Sequence, residues 1–164
     1  MYDYQFPDSY QTAFVQLRQT SSVVFKLVER ELAKVGLTPI KHYVLWLCRE
    51  YDGPLTPAEI GRTVFRESQT IAALLARMEK EGLIRRIPKR KGHPFTEVQI
   101  TEKGKEAWRK GVKVAVAVVQ DTMSTLSAEE IEQFQEPLRK LRQKALEGLR
   151  LELMPQPDWA LNRV

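Results

Sequence analysis

The sequence predicts a mainly α chain with a small β-hairpin wing, that is, a winged helix-turn-helix joined to a helical dimerisation region. Three observations predict it. Between Leu55 and Gly104, two short helical patterns are followed by two strand-like runs, LIRRI and TEVQI. Five basic residues crowd between Arg85 and Lys91, from the end of the first run into the tip that joins it to the second. The sequence on both sides reads as long amphipathic helices, more helical material than one small lobe needs for its own core.

The 164 residues allow one domain with a sizeable core, or a small domain with an appended oligomerisation element. The second fits the pattern, with a dimerisation helix over 1–36, a DNA-binding lobe over 37–104, and C-terminal dimerisation helices and a tail over 105–164. The net charge is +5. Residues 38–104 hold 12 Lys/Arg against 8 Asp/Glu, so the excess is concentrated in the lobe and points to a polyanionic partner. A lone Cys48 cannot form an internal disulfide, and no Cys/His cluster has zinc spacing, so neither metal nor cofactor is expected. The N-terminus MYDYQFPDSYQ lacks a signal-peptide pattern, and no run approaches ~20 apolar residues. The expectation is a cytoplasmic protein with no membrane partner.

In chain order, Phe14, Leu17, Val24, Phe25, Val28, Leu32 and Val35 set a helical period from Ser9 to Val35, capped by Asp8 or Ser9 and ended by Gly36. At ~40 Å such a helix outruns one small lobe, so part of its stripe is expected to meet another chain. Thr38-Pro39 starts the second helix, and Asp52-Gly53-Pro54 ends it. Thr56-Pro57-Ala58-Glu59 is a capping box, with the glutamate expected to reach back to the cap amide. After a turn near Phe65-Arg66-Glu67, Ile71, Leu74, Leu75 and Met78 form the buried stripe of a helix from about Ser68 to Glu81, stopped by Gly82. Leu83 to Ile87 and Thr96 to Ile100 are the strands. Thr101 caps a helix running to about Leu126 through the β-branched run Val112 to Val119. That run alone suits a strand, but cap and length favour helix. Ser127-Ala128-Glu129-Glu130 opens the last helix, with a kink expected at Pro137.

With these elements placed, the chain resembles the MarR family. The resemblance rests on Leu37-Thr38-Pro39, Leu55-Thr56, Met78-Glu79-Lys80-Glu81-Gly82-Leu83, Arg86 and Ile100-Thr101-Glu102-Lys103-Gly104, in register over roughly Leu37 to Trp108. It implies a dimeric winged-helix transcription regulator, usually a repressor and often released by small ligands or oxidants, whose first and last helices build the dimer. Two departures stand out. Gly92 and Pro94 occupy the wing positions where the family usually carries an aspartate and an arginine, which leaves the wing-tip role to Arg90, Lys91 or His93. Phe65 stands where a glycine is common in the turn.

The residues themselves support a DNA reading. A helix fits the major groove, and its first turn reaches the base edges. Here that turn carries Ser68, Gln69 and Thr70. Gln69 suits bidentate pairing with adenine, and the hydroxyls accept any base. Ala72, Ala73 and Ala76 let the helix sit deep and meet thymine methyls, so an A·T-rich operator is expected. The plainer alternative is that these alanines are good helix formers beside a neighbouring element. Arg66, Arg77, Arg85, Arg86, Lys89, Arg90 and Lys91 supply phosphate and wing contacts, with Thr56 and His93 as further candidates. One module touches few base pairs, so a homodimer on a palindrome with half-sites about 10 bp apart is expected. Phe14, Leu17, Val116, Leu138, Leu141 and Trp159 are the interface candidates.

His42, Trp46 and Trp108 are candidates for a ligand cleft, although each equally suits ordinary packing. Cys48 falls mid-helix on or beside the core side, where a thiol is usually inert rather than redox-active. No catalytic residue is expected, because the two histidines, His42 and His93, fit no catalytic motif and no phosphate-binding glycine loop occurs. The remaining rival is a winged-helix module that binds protein without specific DNA binding.

Overall fold

The computed structural model describes residues 2–51, 53–65, 68–88 and 96–151. They fall into two compact units, divided between Val118 and Val119. The elements in chain order are α1 (Ser9–Ala33), α2 (Pro39–Glu50), α3 (Pro57–Val64), α4 (Ser68–Lys80), β1 (Ile84–Ile87), β2 (Glu97–Ile100), α5 (Glu102–Met123) and α6 (Ala128–Gly148). The β-branched run Val112 to Val119 is helical, within α5.

Local chemistry fixes the helix ends in the first unit. The Asp8 side chain accepts from the Tyr10 amide at 2.8 Å to open α1. Gly36, at φ 76°, closes it, with the Leu37 amide returning to the Leu32 carbonyl at 3.1 Å. Gly82, at φ 75°, closes α4 in the same way through Leu83 to Met78 at 2.9 Å. Thr38 and Thr56 cap α2 and α3 ahead of Pro39 and Pro57. Only half of the capping box expected at Thr56 forms among the described residues. The Thr56 hydroxyl accepts from the Glu59 amide at 3.2 Å, but the Glu59 carboxylate pairs with Arg62 one turn on.

The core of this unit gathers Leu32, Leu37, Val44, Leu45, Leu47, Leu55, Ile60, Ile71, Leu74, Leu75, Met78, Leu83, Ile84 and Val98. β1 and β2 pair antiparallel in the register Ile84↔Ile100, Arg85↔Gln99, Arg86↔Val98, Ile87↔Glu97. The Val98 amide donates to the Leu55 carbonyl at 2.8 Å, which fastens the hairpin to the segment entering α3. Thr101 fastens its other end. The Thr101 hydroxyl lies 2.6 Å from the Gly82 carbonyl and accepts from the Gly104 amide at 3.0 Å, so one side chain joins the end of α4 to the start of α5.

The α1 stripe divides along its length. Val28, Leu32 and Val35 pack on the core, whereas Phe14, Leu17 and Phe25 stay exposed. Ahead of the helix, residues 2–8 fold back alongside it, with Gln19 donating to the Tyr2 carbonyl at 3.2 Å and the Phe6 amide donating to the Thr12 hydroxyl at 2.9 Å.

In the second unit, α6 opens with a complete capping box. The Ser127 side chain accepts from the Glu130 amide, and the Glu130 carboxylate accepts from the Ser127 amide at 2.7 Å. The helix runs through Pro137, whose ring nitrogen has no proton to give the preceding turn. Phe134, Leu141 and Leu149 are exposed along it. No helix among the described residues is long and apolar enough to cross a membrane, and no group of three His, Cys, Asp or Glu among them could hold a metal ion.

Candidate nucleic-acid interface

The α4 helix separates its two faces cleanly. Ile71, Leu75 and Met78 are fully buried and Leu74 nearly so, while Gln69, Thr70, Ala72, Ala73, Ala76, Arg77 and Lys80 are exposed. The i, i+3, i+4, i+7 spacing puts the apolar residues on one side, and burying them turns every hydrogen-bonding or small side chain of the opposite side to solvent. The resulting outer surface is narrow because alanine adds little to the helix radius. A narrow helix can lie deep in a groove, with Gln69 and Thr70 leading at its amino end. The backbone at Ser68 is the first residue of this helix.

The hairpin splits its two arginines by the period of the strand. Arg86 shares a sheet face with buried Ile84 and lies opposite Val98, so it turns toward α4. There the Arg86 guanidinium donates to Glu79 at 2.7 Å, and the Arg86 amide donates to the other oxygen of the same carboxylate at 2.8 Å. The guanidinium and the amide hold the Glu79 carboxyl below its ordinary range. Arg85 points the other way and donates twice to the neutral Gln99 carbonyl oxygen, at 2.7 and 3.0 Å. Among the described residues its charge is therefore held in place by a neutral partner. Composition alone does not distinguish these two arginines. The strand period separates them, and Glu79 and Gln99 are the partners it does not reveal.

Such a face on such a scaffold has known relatives. Residues 35–93 match the model of the MarR family. Over that segment the chain is similar to the MarR family. It is 28% identical over 122 residues to the HTH-type transcriptional repressor IacR of Pseudomonas putida, an alignment covering 74% of this chain but 59% of that protein's length. Among solved structures, AbsC, a MarR family transcriptional regulator from Streptomyces coelicolor, superposes with a TM-score of 0.77 at 21% identity, covering 88% of this chain and 99% of that one. The S. aureus MepR–DNA complex superposes with a TM-score of 0.70 at 22% identity, covering 84% and 96%. At these identities the solved structures establish the fold.

Within residues 35–93, Thr56 is half-buried with its hydroxyl capping α3. Arg66, Lys89, Arg90, Lys91 and His93 lie outside the described residues, as do Gly92, Pro94 and Trp159. The turn position where the family commonly has glycine keeps a glycine-like backbone. Phe65 is the C-cap of α3, at φ 52° and ψ 46° in the left-handed region. An L residue with a ring on Cβ is strained there by roughly 1 kcal/mol or more.

Two of the cleft candidates, His42 and Trp108, lie along the seam between α2 and α5. His42 lies against Gly111, where an added Cβ would come within 2.5 Å of the imidazole Cδ2. Arg49 stacks its guanidinium 4.0 Å over the Trp108 ring. Trp108 and Gly111 are three positions apart on α5, hence on one face. Trp46 shares that face of α2 with His42 and stacks on Tyr43, ring centroids 5.2 Å apart. His42 Nε2 and Trp108 Nε1 are buried without a hydrogen-bond partner among the described residues. Burial pushes the His42 pKa down, so its ring is neutral at physiological pH. Arg49, Lys105, Trp108 and Arg109 line a pocket of about 170 Å³, below the ~300 Å³ at which small-molecule sites begin. Cys48 is half-buried, and burial pushes its thiol pKa up to about 12. A thiol so protonated is a poor nucleophile.

Of the dimer candidates, Phe14, Leu17, Val116 and Leu141 are exposed and Leu138 is half-buried.

Proposed function

We propose that the chain is a sequence-specific, DNA-binding transcriptional regulator of MarR type that acts in the cytoplasm as a repressor, binding a palindromic operator as a homodimer. The observation that carries this reading is the outer face of α4. Gln69 and Thr70 stand exposed at its amino end, Ala72, Ala73 and Ala76 keep it narrow, and Arg77 and Lys80 flank it. The S. aureus relative of the same fold was solved on DNA, which supports placing the corresponding helix in the major groove. Arg66, Arg77 and Arg85 then serve the phosphates, with Lys89, Arg90, Lys91 and His93 in the wing. Arg86 contributes through its Glu79 anchor, orienting the wing as much as meeting phosphate.

Residues 1–36 and 105–164 supply the homodimer around the lobe at 37–104, through Phe14, Leu17, Val116, Leu138, Leu141 and Trp159. The large exposed apolar side chains of α1, α5 and α6 support that assignment, because a monomer gains nothing from leaving them in water. A small-molecule effector has its best-supported place at the α2–α5 seam beside His42, Trp46 and Trp108. The unpartnered Trp108 Nε1–H is a donor and the unpartnered His42 Nε2 a donor or an acceptor by tautomer, and the small pocket beside Trp108 must widen to admit a ligand. The chemistry does not require an enzyme.

The test is selection of bound sequences from a random duplex pool by the full chain. The expected result is an A·T-rich palindrome with half-site centres about 10 bp apart. Recovery of no enriched sequence would overturn the operator reading and favour the second one, a protein-binding winged module, which the exposed alanines of α4 also suit.

A further inference from the structure

The large exposed apolar side chains of this protein are distributed unevenly. Among the described residues they lie on the N-terminal segment, α1, α5, α6 and the residues just after α6, with two exceptions inside the winged lobe, Tyr43 at 36% and Phe65 at 67% exposure. Tyr43 is the lesser case, since its ring stacks on Trp46. Phe65 combines two costs in one residue. Its ring stands in water, and its backbone is held in the left-handed region that glycine or asparagine would occupy without strain. Neither cost is offset by burial in the folded lobe, and the two together mark the residue for a contact outside it.

Its position says what that something is. Phe65 caps the end of α3 and precedes the first residue of α4 by three positions. In a helix-turn-helix the second helix lies in the major groove while the first crosses the backbone. The residue that joins them therefore sits at the groove rim, where the deoxyribose carbons are the apolar surface on offer. We propose that Phe65 is a DNA-contacting residue, packing its ring on a deoxyribose at the rim beside the amino end of α4. This rests on the DNA-binding reading above. Contact with a sugar carries no base information, so it strengthens every complex alike.

The experiment compares the full-length wild type with Phe65→Gly and Phe65→Asn, both suited to the left-handed backbone, on a labelled random-sequence duplex and on the duplex selected from the pool. Thermal melts come first. Both variants are expected to melt at or above the wild-type temperature, so that any loss of binding is not a loss of fold. Affinity is expected to fall roughly fivefold to tenfold on both duplexes, the burial value of part of one phenyl ring. The slope of log affinity against log salt should stay at the wild-type value, because no phosphate contact is removed. Phe65→Leu should recover part of the loss. Variants that bind as tightly as wild type would overturn the proposal, as would a flattened salt slope, which would mean that displaced cations and not a lost apolar contact weakened binding. Wild-type protein that binds neither duplex would instead refute the DNA-binding reading itself.

Discussion

Buried titratable groups decide what the lobe can sense on its own. With its pKa pushed up to about 12 by burial, the Cys48 thiol stays protonated across the physiological range, and oxidation at this position is disfavoured. His42 is shifted in the direction that matters. Burial holds it below its ordinary value of 6.5, so as pH falls the unfolded chain takes up the proton first. The stability owed to the neutral ring is complete above that ordinary value and is lost progressively as pH drops through and below it. Wild type should therefore lose more melting temperature between about pH 7.5 and about pH 5.5 than His42→Gln does, and equal losses would remove His42 from the account. At this scale the sequence was only partly legible. Gln69, Thr70 and the three alanines could be placed outward because helix period alone decides their face. The left-handed backbone of Phe65 could not, since a phenylalanine gives no local signal for it. The pairing of Arg86 with Glu79 needs the turn at Gly82 to bring β1 back against the end of α4.

Elements were the more legible level, and the reason is chemical. Thr38-Pro39, Thr56-Pro57 and Ser127 with Glu130 each state a helix start through a hydroxyl acceptor followed by a residue that suits the first turn. The Thr56 box formed only half because Arg62, one turn on, offered Glu59 a charged partner where the cap amide is neutral. Junctions between elements are tighter than any pattern reveals. At the start of α5 a Cβ on Gly104 would lie 2.0 Å from the Leu83 carbonyl oxygen, a backbone atom that cannot step aside without breaking the junction Thr101 holds. Gly104→Ala should cost about 3 kcal/mol of unfolding free energy by denaturant titration. A loss below about 1 kcal/mol would show that the α4–α5 junction yields more easily than its geometry implies.

Across the whole molecule, the surfaces differ in what each lacks. The winged lobe carries most of the basic excess, and its α4 face presents small and hydrogen-bonding groups in place of apolar ones. The helices outside it expose phenylalanine, leucine and valine in number. One surface suits a polyanion and the others suit a second copy, which is the division of labour expected of a dimeric regulator on a palindrome. Composition made the polyanion legible from the sequence. The wing tip was less so, since Gly92 and Pro94 depart from the family pattern and leave the choice among Arg90, Lys91 and His93 to experiment. The central claim is that the lobe holds duplex DNA largely through its cations, and it is tested most directly by the salt dependence of binding. Full-length protein titrated onto a labelled duplex should bind at low salt and weaken along a straight line of log affinity against log salt, with a slope that becomes shallower when Arg90 and Lys91 are both replaced by alanine. No binding at low salt, or a slope that the double replacement leaves unchanged, would contradict the account.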